Sequence, residues 1–138
     1  MNSQLVFIDS DAFIGLIKED DAHYSQTQRS FSRLYKEKYE YITSNYVFSE
    51  VITVLSLRVG REGAIKFIDT IKTPLSEYRV VWINEEIEEK AIEIYKKQTS
   101  KNVSFVDCTN MALMELHNIP LIFSFDRIYR KNGYKMTK

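Results

Sequence analysis

Short apolar runs alternate with longer stretches of helical spacing along this chain, and that alternation most narrows what it can fold into. The runs Leu5–Ile8, Tyr41–Thr43, Arg79–Ile83 and Leu121–Phe123 read as buried strands. Between them, residues 11–18, 22–37, 45–58, 60–72, 84–98 and 104–117 carry apolar side chains at helical intervals. Strands that alternate with helices argue for an α/β fold, a mainly parallel sheet covered on both faces. A short last strand around Tyr134–Met136, after Gly133, is expected to close one edge. Pro74 and Pro120 fall between elements, where a missing backbone donor does little harm. With 138 residues and no linker or repeat, the expectation is one domain spanning 1–138.

In open parallel sheets, ligands bind beyond the carboxyl ends of the strands. A site in this chain should therefore show itself where apolar strands stop. Leu-Val-Phe-Ile runs into Asp9, and Leu-Ile-Phe-Ser-Phe runs into Asp126. An aspartate after a strand often just opens a turn or caps a helix. Two such residues on strands of one small sheet shift the balance toward a site.

Two further carboxylates carry different signals. On a helical wheel of residues 45–58, Asn45, Ser49, Thr53 and Ser56 share a polar arc, whereas Glu50 falls on the apolar side with Tyr46, Val54 and Leu57. A charge facing a core needs a cation or a paired base, and Arg58 or Arg61 would be the ordinary partner. Ser104-Phe-Val-Asp107 has the spacing of a helix capping box, with Ser104 as the N-cap. Asp107 is followed one turn on by Met111, so its carboxylate also looks inward, at a helix start where the macrodipole favours the ionised form. Asp11 is either a fifth member of the set or the N-cap of the helix that follows it.

Two carboxylates about 5 Å apart repel by roughly 3 kcal/mol at an effective dielectric near 20. Four that converge need protons or a divalent cation. Oxygen-only ligation points to a hard ion, Mg²⁺ or Mn²⁺, which can activate water and steady charge on a phosphodiester. One cysteine and two histidines exclude an intramolecular disulfide and any ordinary zinc-ligand spacing. Cys108, inside the apolar stretch Phe105–Met114, reads as a buried structural thiol.

Basic and acidic residues balance at 19 each, which excludes a protein that grips nucleic acid by bulk charge. Their distribution is uneven. After Asp126 come Arg127, Arg130, Lys131, Lys135 and Lys138 with no acidic residue, a stretch suited to phosphates. Tyr129 and Tyr134 within it could stack on bases, or serve as core residues of the final strand. Glu85, Glu86, Glu88 and Glu89 read as a solvated acidic face. No apolar run approaches the roughly 18 residues of a membrane span. The N-terminus lacks a positive n-region, so no signal peptide and a cytoplasmic location are expected.

Taken in order, Val-Phe-Ile-Asp9-Ser, Ile-Thr43-Ser-Asn-Tyr-Val-Phe-Ser-Glu50, Ser104-Phe-Val-Asp107 and Phe-Ser124-Phe-Asp126 resemble the PIN domain. Within it the chain is most similar to the VapC-type ribonuclease toxins of prokaryotic toxin–antitoxin pairs. The resemblance spans essentially the whole chain. It implies a three-layer α/β/α sandwich, endoribonuclease activity dependent on Mg²⁺ or Mn²⁺, a homodimer, and a small antitoxin that blocks the site. It also implies acidic metal-binding roles for Asp9, Glu50, Asp107 and Asp126. Ser124 stands where the family places a Ser or Thr two residues before its last Asp, and Thr43 precedes the helix that bears the Glu. Arg127, Arg130 and Lys131 are the candidate RNA contacts. Asp11 departs from the small neutral residue common at its position, and Cys108 from a smaller one.

Two other readings remain open. Asp9-Ser-Asp11 after a strand also resembles the nucleophile motif of haloacid dehalogenase-type phosphatases, although Phe13 replaces the usual small residue and Glu50 would have no task. A non-catalytic module that keeps the fold to dock RNA or protein has no physical need for four mutually repelling carboxylates.

Overall fold

The computed structural model describes residues 4–138. Among them four strands form one all-parallel sheet in the order β3-β2-β1-β4: β1 is Gln4–Ile8, β2 Tyr39–Ser44, β3 Tyr78–Val81 and β4 Leu121–Phe123. The helices are α1 Ser10–Ile17, α2 Tyr24–Lys36, α3 Asn45–Arg58, α4 Arg61–Ile71, α5 Glu85–Lys96, α6 Phe105–Leu116 and a one-turn α7, Ile128–Lys131. Parallel neighbours must be joined by crossovers, which run through α1–α2, α3–α4 and α5–α6 in turn.

The chain steps outward from β1 to β2 to β3, then returns past β1 to place β4 on its other side. Right-handed crossovers made in opposite directions put their helices on opposite faces. The packing agrees: α1 touches α2 and α3, α3 touches α4, and α5 packs on α6. The result is the three-layer α/β/α sandwich. Val6, Phe7 and Ile8 of the central β1 are buried regardless of which face they point to, as a strand covered on both sides requires.

Local chemistry sets the ends of the elements. Ser44, Asn84 and Ser104 each accept a backbone N–H of the helix they precede, from Val47, Ile87 and Asp107. The capping box read from Ser104 and Asp107 is present with both of its reciprocal bonds. Glu85, Glu86 and Glu88 lie in the first turn of α5, exposed and at the favourable end of its dipole. Gly60, with φ of 112°, reverses the chain between α3 and α4.

Three expectations need correction. The last strand is one parallel bridge between Ile122 and Met136, fixed by Ile122 N–H to Lys135 O and Thr137 N–H to Ile122 O. Tyr129 lies in α7 rather than in that strand. Asp9, not Asp11, occupies the N-cap position of α1. No helix among the described residues is long and apolar enough to cross a membrane.

Candidate active site

The sheet changes direction between β1 and β4, and there the carboxyl ends of two neighbouring strands open a crevice. Asp9 is the first residue past β1, and its N–H still bonds to Phe123 O at the end of β4. Its side chain is 5% exposed and takes four donors. Oδ1 accepts from Ser10 N–H at 2.8 Å and from Asn110 Nδ2 at 3.2 Å. Oδ2 accepts from Ser124 Oγ and from the Tyr129 hydroxyl, both at 2.9 Å. Behind it, the buried Thr43 Oγ1 donates to Ile8 O at 3.0 Å and ties β2 to the strand end that presents Asp9.

Asp11, in the first turn of α1, leans across to β4. Its Oδ2 accepts from Phe125 N–H at 2.9 Å and lies 3.2 Å from Ser124 Oγ. Asp107 reaches the group from α6 on the opposite layer. One oxygen, Oδ2, closes the capping box on Ser104 N–H at 2.9 Å; the other lies 3.2 Å from the Tyr129 hydroxyl. The residue therefore caps its helix and joins the acidic set at once. Asp126 sits on the exposed rim, its N–H donating to Ser124 Oγ at 3.1 Å and its Oδ1 accepting from Ile128 N–H at 3.0 Å.

Crowding and burial act on these groups in one direction. Burial, then the charge of Asp11, pushes the Asp9 carboxyl up to about 8. Burial raises Asp11 to about 6, against the pull of its bonds to Phe125 and Ser124, and the Asp126 charge adds to the rise. Asp107 is raised as well, chiefly by burial. Without a cation Asp9 keeps a proton at neutral pH. Burial followed by the Asp107 charge pushes the Cys108 thiol to about 11, which makes it inert, as expected for a structural thiol.

Glu50 stands apart. It flanks the buried stripe Val47, Val51 and Leu55 of α3 and is half-buried. Neither Arg58 nor Arg61 pairs with it, and among the described residues it makes no side-chain hydrogen bond or ion pair. Its helix starts at the carboxyl end of β2, so Glu50 lies on the same rim of the sheet without touching the other acids. Arg127, Arg130 and Lys131 are all exposed on α7 or its N-cap, next in the chain to Asp126.

Two contributors were missed in the sequence: Asn110 and, as a polar member of the site, Tyr129. Asn110 had a legible signal, because it lies three residues after Asp107 and so on the same side of α6, within an apolar run. Tyr129 similarly follows Asp126 by three, but only the turn of α7 shows that its ring points back under Asp9.

The donor set suits a hard divalent ion. Every candidate ligand is an oxygen, and Asp11 Oδ1 is buried with no hydrogen-bond partner. Among the described residues no three acidic side chains are drawn tightly around one point. Mg²⁺ does not require that, since it keeps several waters and takes one or two carboxylates directly.

A family model for the PIN domain matches residues 6–133. The chain belongs to the PIN domain family, which sets aside the phosphatase reading of Asp9-Ser10-Asp11. Among its relatives is a Mycobacterium tuberculosis protein named 23S rRNA-specific endonuclease VapC20. The two are 27% identical over 130 residues, which covers 94% of this chain and 95% of the relative. The crystal structure of that toxin, described as cleaving the sarcin–ricin loop, superposes with a TM-score of 0.81 at 26% identity, over 94% of this chain and 95% of the other. The fold recurs in FitAcB from Neisseria gonorrhoeae, with a TM-score of 0.72, 12% identity and 96% of each chain covered. It recurs again in VapBC2 from Rickettsia felis bound to promoter DNA, with a TM-score of 0.69, 12% identity and coverage of 96% and 97%.

Proposed function

We propose that this protein is a divalent-metal-dependent endoribonuclease, the toxin of a toxin–antitoxin pair, acting on RNA in the cytoplasm. The observation that carries the reading is the acidic group of the buried Asp9 and the half-buried Asp11 and Asp107, with Asp126 at its rim, at the switch point of a PIN-domain sheet. Carboxylates packed this way cost stability unless something positive joins them. A bound Mg²⁺ or Mn²⁺ would lower the pKa of water and offset the charge that builds on a phosphodiester.

In this reading Asp9, Asp107 and Asp126 would surround the ion, one or two of them directly and the rest through its waters, and the unpartnered oxygen of Asp11 would be free to join them. Glu50 completes the acidic set from the α3 side of the rim. Ser124 orients Asp9 and Asp11 through one hydroxyl, and Thr43 fixes the strand end. Arg127, Arg130 and Lys131 take RNA phosphates beside the exposed Asp126, while the buried cluster stays out of contact with bases. Ribosomal RNA is the substrate to test first, given the name of the 27%-identical relative. A small antitoxin that presents an arginine to the acidic crevice would neutralise it without metal. A homodimer would cover the exposed Leu57, Val59 and Ile65 around the α3–α4 junction.

Inducing the wild-type chain and Asp9→Asn separately in a bacterial host tests the reading. Growth arrest with new 5′ ends in 23S rRNA is expected for the wild type alone. Co-expression of the adjacent small reading frame should restore growth. Equal arrest by both forms would mean that the acidic group does not cause it.

A further inference from the structure

The one-turn helix α7 carries a tyrosine set directly against the acidic group. Tyr129 is fully buried, among the largest side chains with no exposure at all. An aromatic at such a position would ordinarily pack better as phenylalanine, because a buried hydroxyl must find partners or cost stability. Here the hydroxyl finds three. It donates to Asp9 Oδ2 at 2.9 Å, lies 3.2 Å from Asp107 Oδ1, and accepts from Asn110 Nδ2 at 2.9 Å.

These contacts close a ring. Asn110 Nδ2 also reaches Asp9 Oδ1 at 3.2 Å, so the amide and the phenol grip the two oxygens of one carboxylate. A phenol has one hydrogen and an amide nitrogen has only donors. The Asn110 contact therefore occupies the phenol oxygen and turns its hydrogen toward the acids. Asp9 comes from β1, Asn110 and Asp107 from α6, and Tyr129 from a segment 120 residues beyond Asp9. Asp126 anchors that segment by accepting Ile128 N–H, so the last acid of the site also aims the tyrosine.

We infer that Tyr129, oriented by Asn110, is a positioning residue: it holds Asp9, at the end of a central strand, and Asp107, on the helical layer beside it, at the separation at which one divalent ion can use both. The inference rests on the metal-dependent reading above. Neither residue touches substrate or the reacting phosphodiester. They act through the two carboxylates, as hydrogen-bond partners of metal ligands commonly do, where loss of such a partner costs roughly 10- to 100-fold in affinity.

Mn²⁺ titration of the wild type, Tyr129→Phe and Asn110→Ala, followed by the paramagnetic resonance of the free ion, tests this without any cleavage assay. Melting curves in chelator accompany it. The account expects Tyr129→Phe to keep its ring packing and its melting transition, yet to raise the Mn²⁺ dissociation constant about 10-fold or more. Asn110→Ala should weaken Mn²⁺ similarly, and the double variant should be worse by less than the two single effects combined, because both side chains act on the one Asp9 carboxylate. If Tyr129→Phe does not fold, Asn110→Ala alone decides, since it leaves the ring in place. Wild-type uptake of Mn²⁺ that the folded variants match within threefold would overturn the clamp and leave the metal reading intact. No uptake by the wild type would overturn both.

Discussion

Ser124 Oγ donates to Asp9 Oδ2 across 2.9 Å and lies 3.2 Å from Asp11 Oδ2, joining the ends of β1 and β4 by side chains where their backbone ladder stops. One hydroxyl hydrogen cannot serve both carboxylates at once. With no cation present, one of the two contacts is a hydrogen bond only if a carboxyl supplies the proton. That is the local reason why this corner of the molecule responds to pH and to divalent ions.

The pH response has a definite sign. Asp9 is raised to about 8 and Asp11 to about 6, so the folded, metal-free chain keeps protons that the unfolded chain has released. Unfolding free energy must then fall as pH rises, starting above about pH 4, where unfolded aspartate titrates. For these two groups the fall runs on through the folded Asp9 value of about 8 and levels off only above it. Denaturant melts in chelator at intervals from pH 4.5 to 8.5 should show this decline. Stability that rises across the window would contradict the buried cluster. Saturating Mn²⁺ should flatten the slope, because metal binding displaces the same protons.

Asp107 separates structure from chemistry within one side chain. Asp107→Asn keeps an oxygen for Ser104 N–H and should lose at most about 1 kcal/mol of stability while RNA cleavage falls at least tenfold. Ser104→Ala should cost a similar amount of stability through the lost cap and leave most cleavage in place. Paired melting and cleavage assays on the two variants check it. Full activity in Asp107→Asn would reduce that residue to a cap.

Gly15 of α1 sits tightly against Thr27 of α2. A Cβ there would meet Thr27 Oγ1 at 2.5 Å, and Thr27 is fully buried. Alanine is otherwise the better helix former by about 1 kcal/mol, so the sign of the change reports the clash. Gly15→Ala should destabilise by about 1–3 kcal/mol. Adding Thr27→Ala, which removes both the obstacle and an unpartnered hydroxyl, should restore most of the loss. Chemical denaturation of the four members of that cycle measures the coupling.

Glu50 stands outside the hydrogen-bonded acidic group. It has no cationic partner among the described residues, and the other acids do not touch it. If it contributes to the ion or its waters from the rim, Glu50→Gln lowers cleavage at least tenfold with an unchanged melting temperature. Unchanged cleavage would remove it from the site.

The sequence made the sheet and most of the site legible for the same reason. Val6-Phe7-Ile8 and Leu121-Ile122-Phe123 are buried on both faces, so they read as uninterrupted apolar runs, and the polar residue that ends each run marks the strand's carboxyl end. The capping box at Ser104 was legible because both of its partners are local. What was not legible depends on contacts made across the chain. Tyr134–Met136 looked like a strand, but β4 offers it only a single bridge. Tyr129 looked like part of that strand or a platform for bases, and only the closure of α7 shows its hydroxyl beneath Asp9. Asp11 could be a cap or a site residue by sequence, and its bonds to Ser124 and Phe125, more than 110 residues away, place it beside Asp9.

The central claim is that the acidic group around Asp9 cleaves RNA with a divalent ion, and one measurement meets it directly. Purified wild type and Asp9→Asn are incubated with intact ribosomal RNA in chelator, in Mg²⁺ and in Mn²⁺, and the new ends are mapped. The account predicts discrete cleavage by the wild type in at least one of the two ions, none in chelator, and a loss of at least 100-fold in the folded Asp9→Asn protein. Cleavage that persists in chelator, or that Asp9→Asn retains in full, would contradict it.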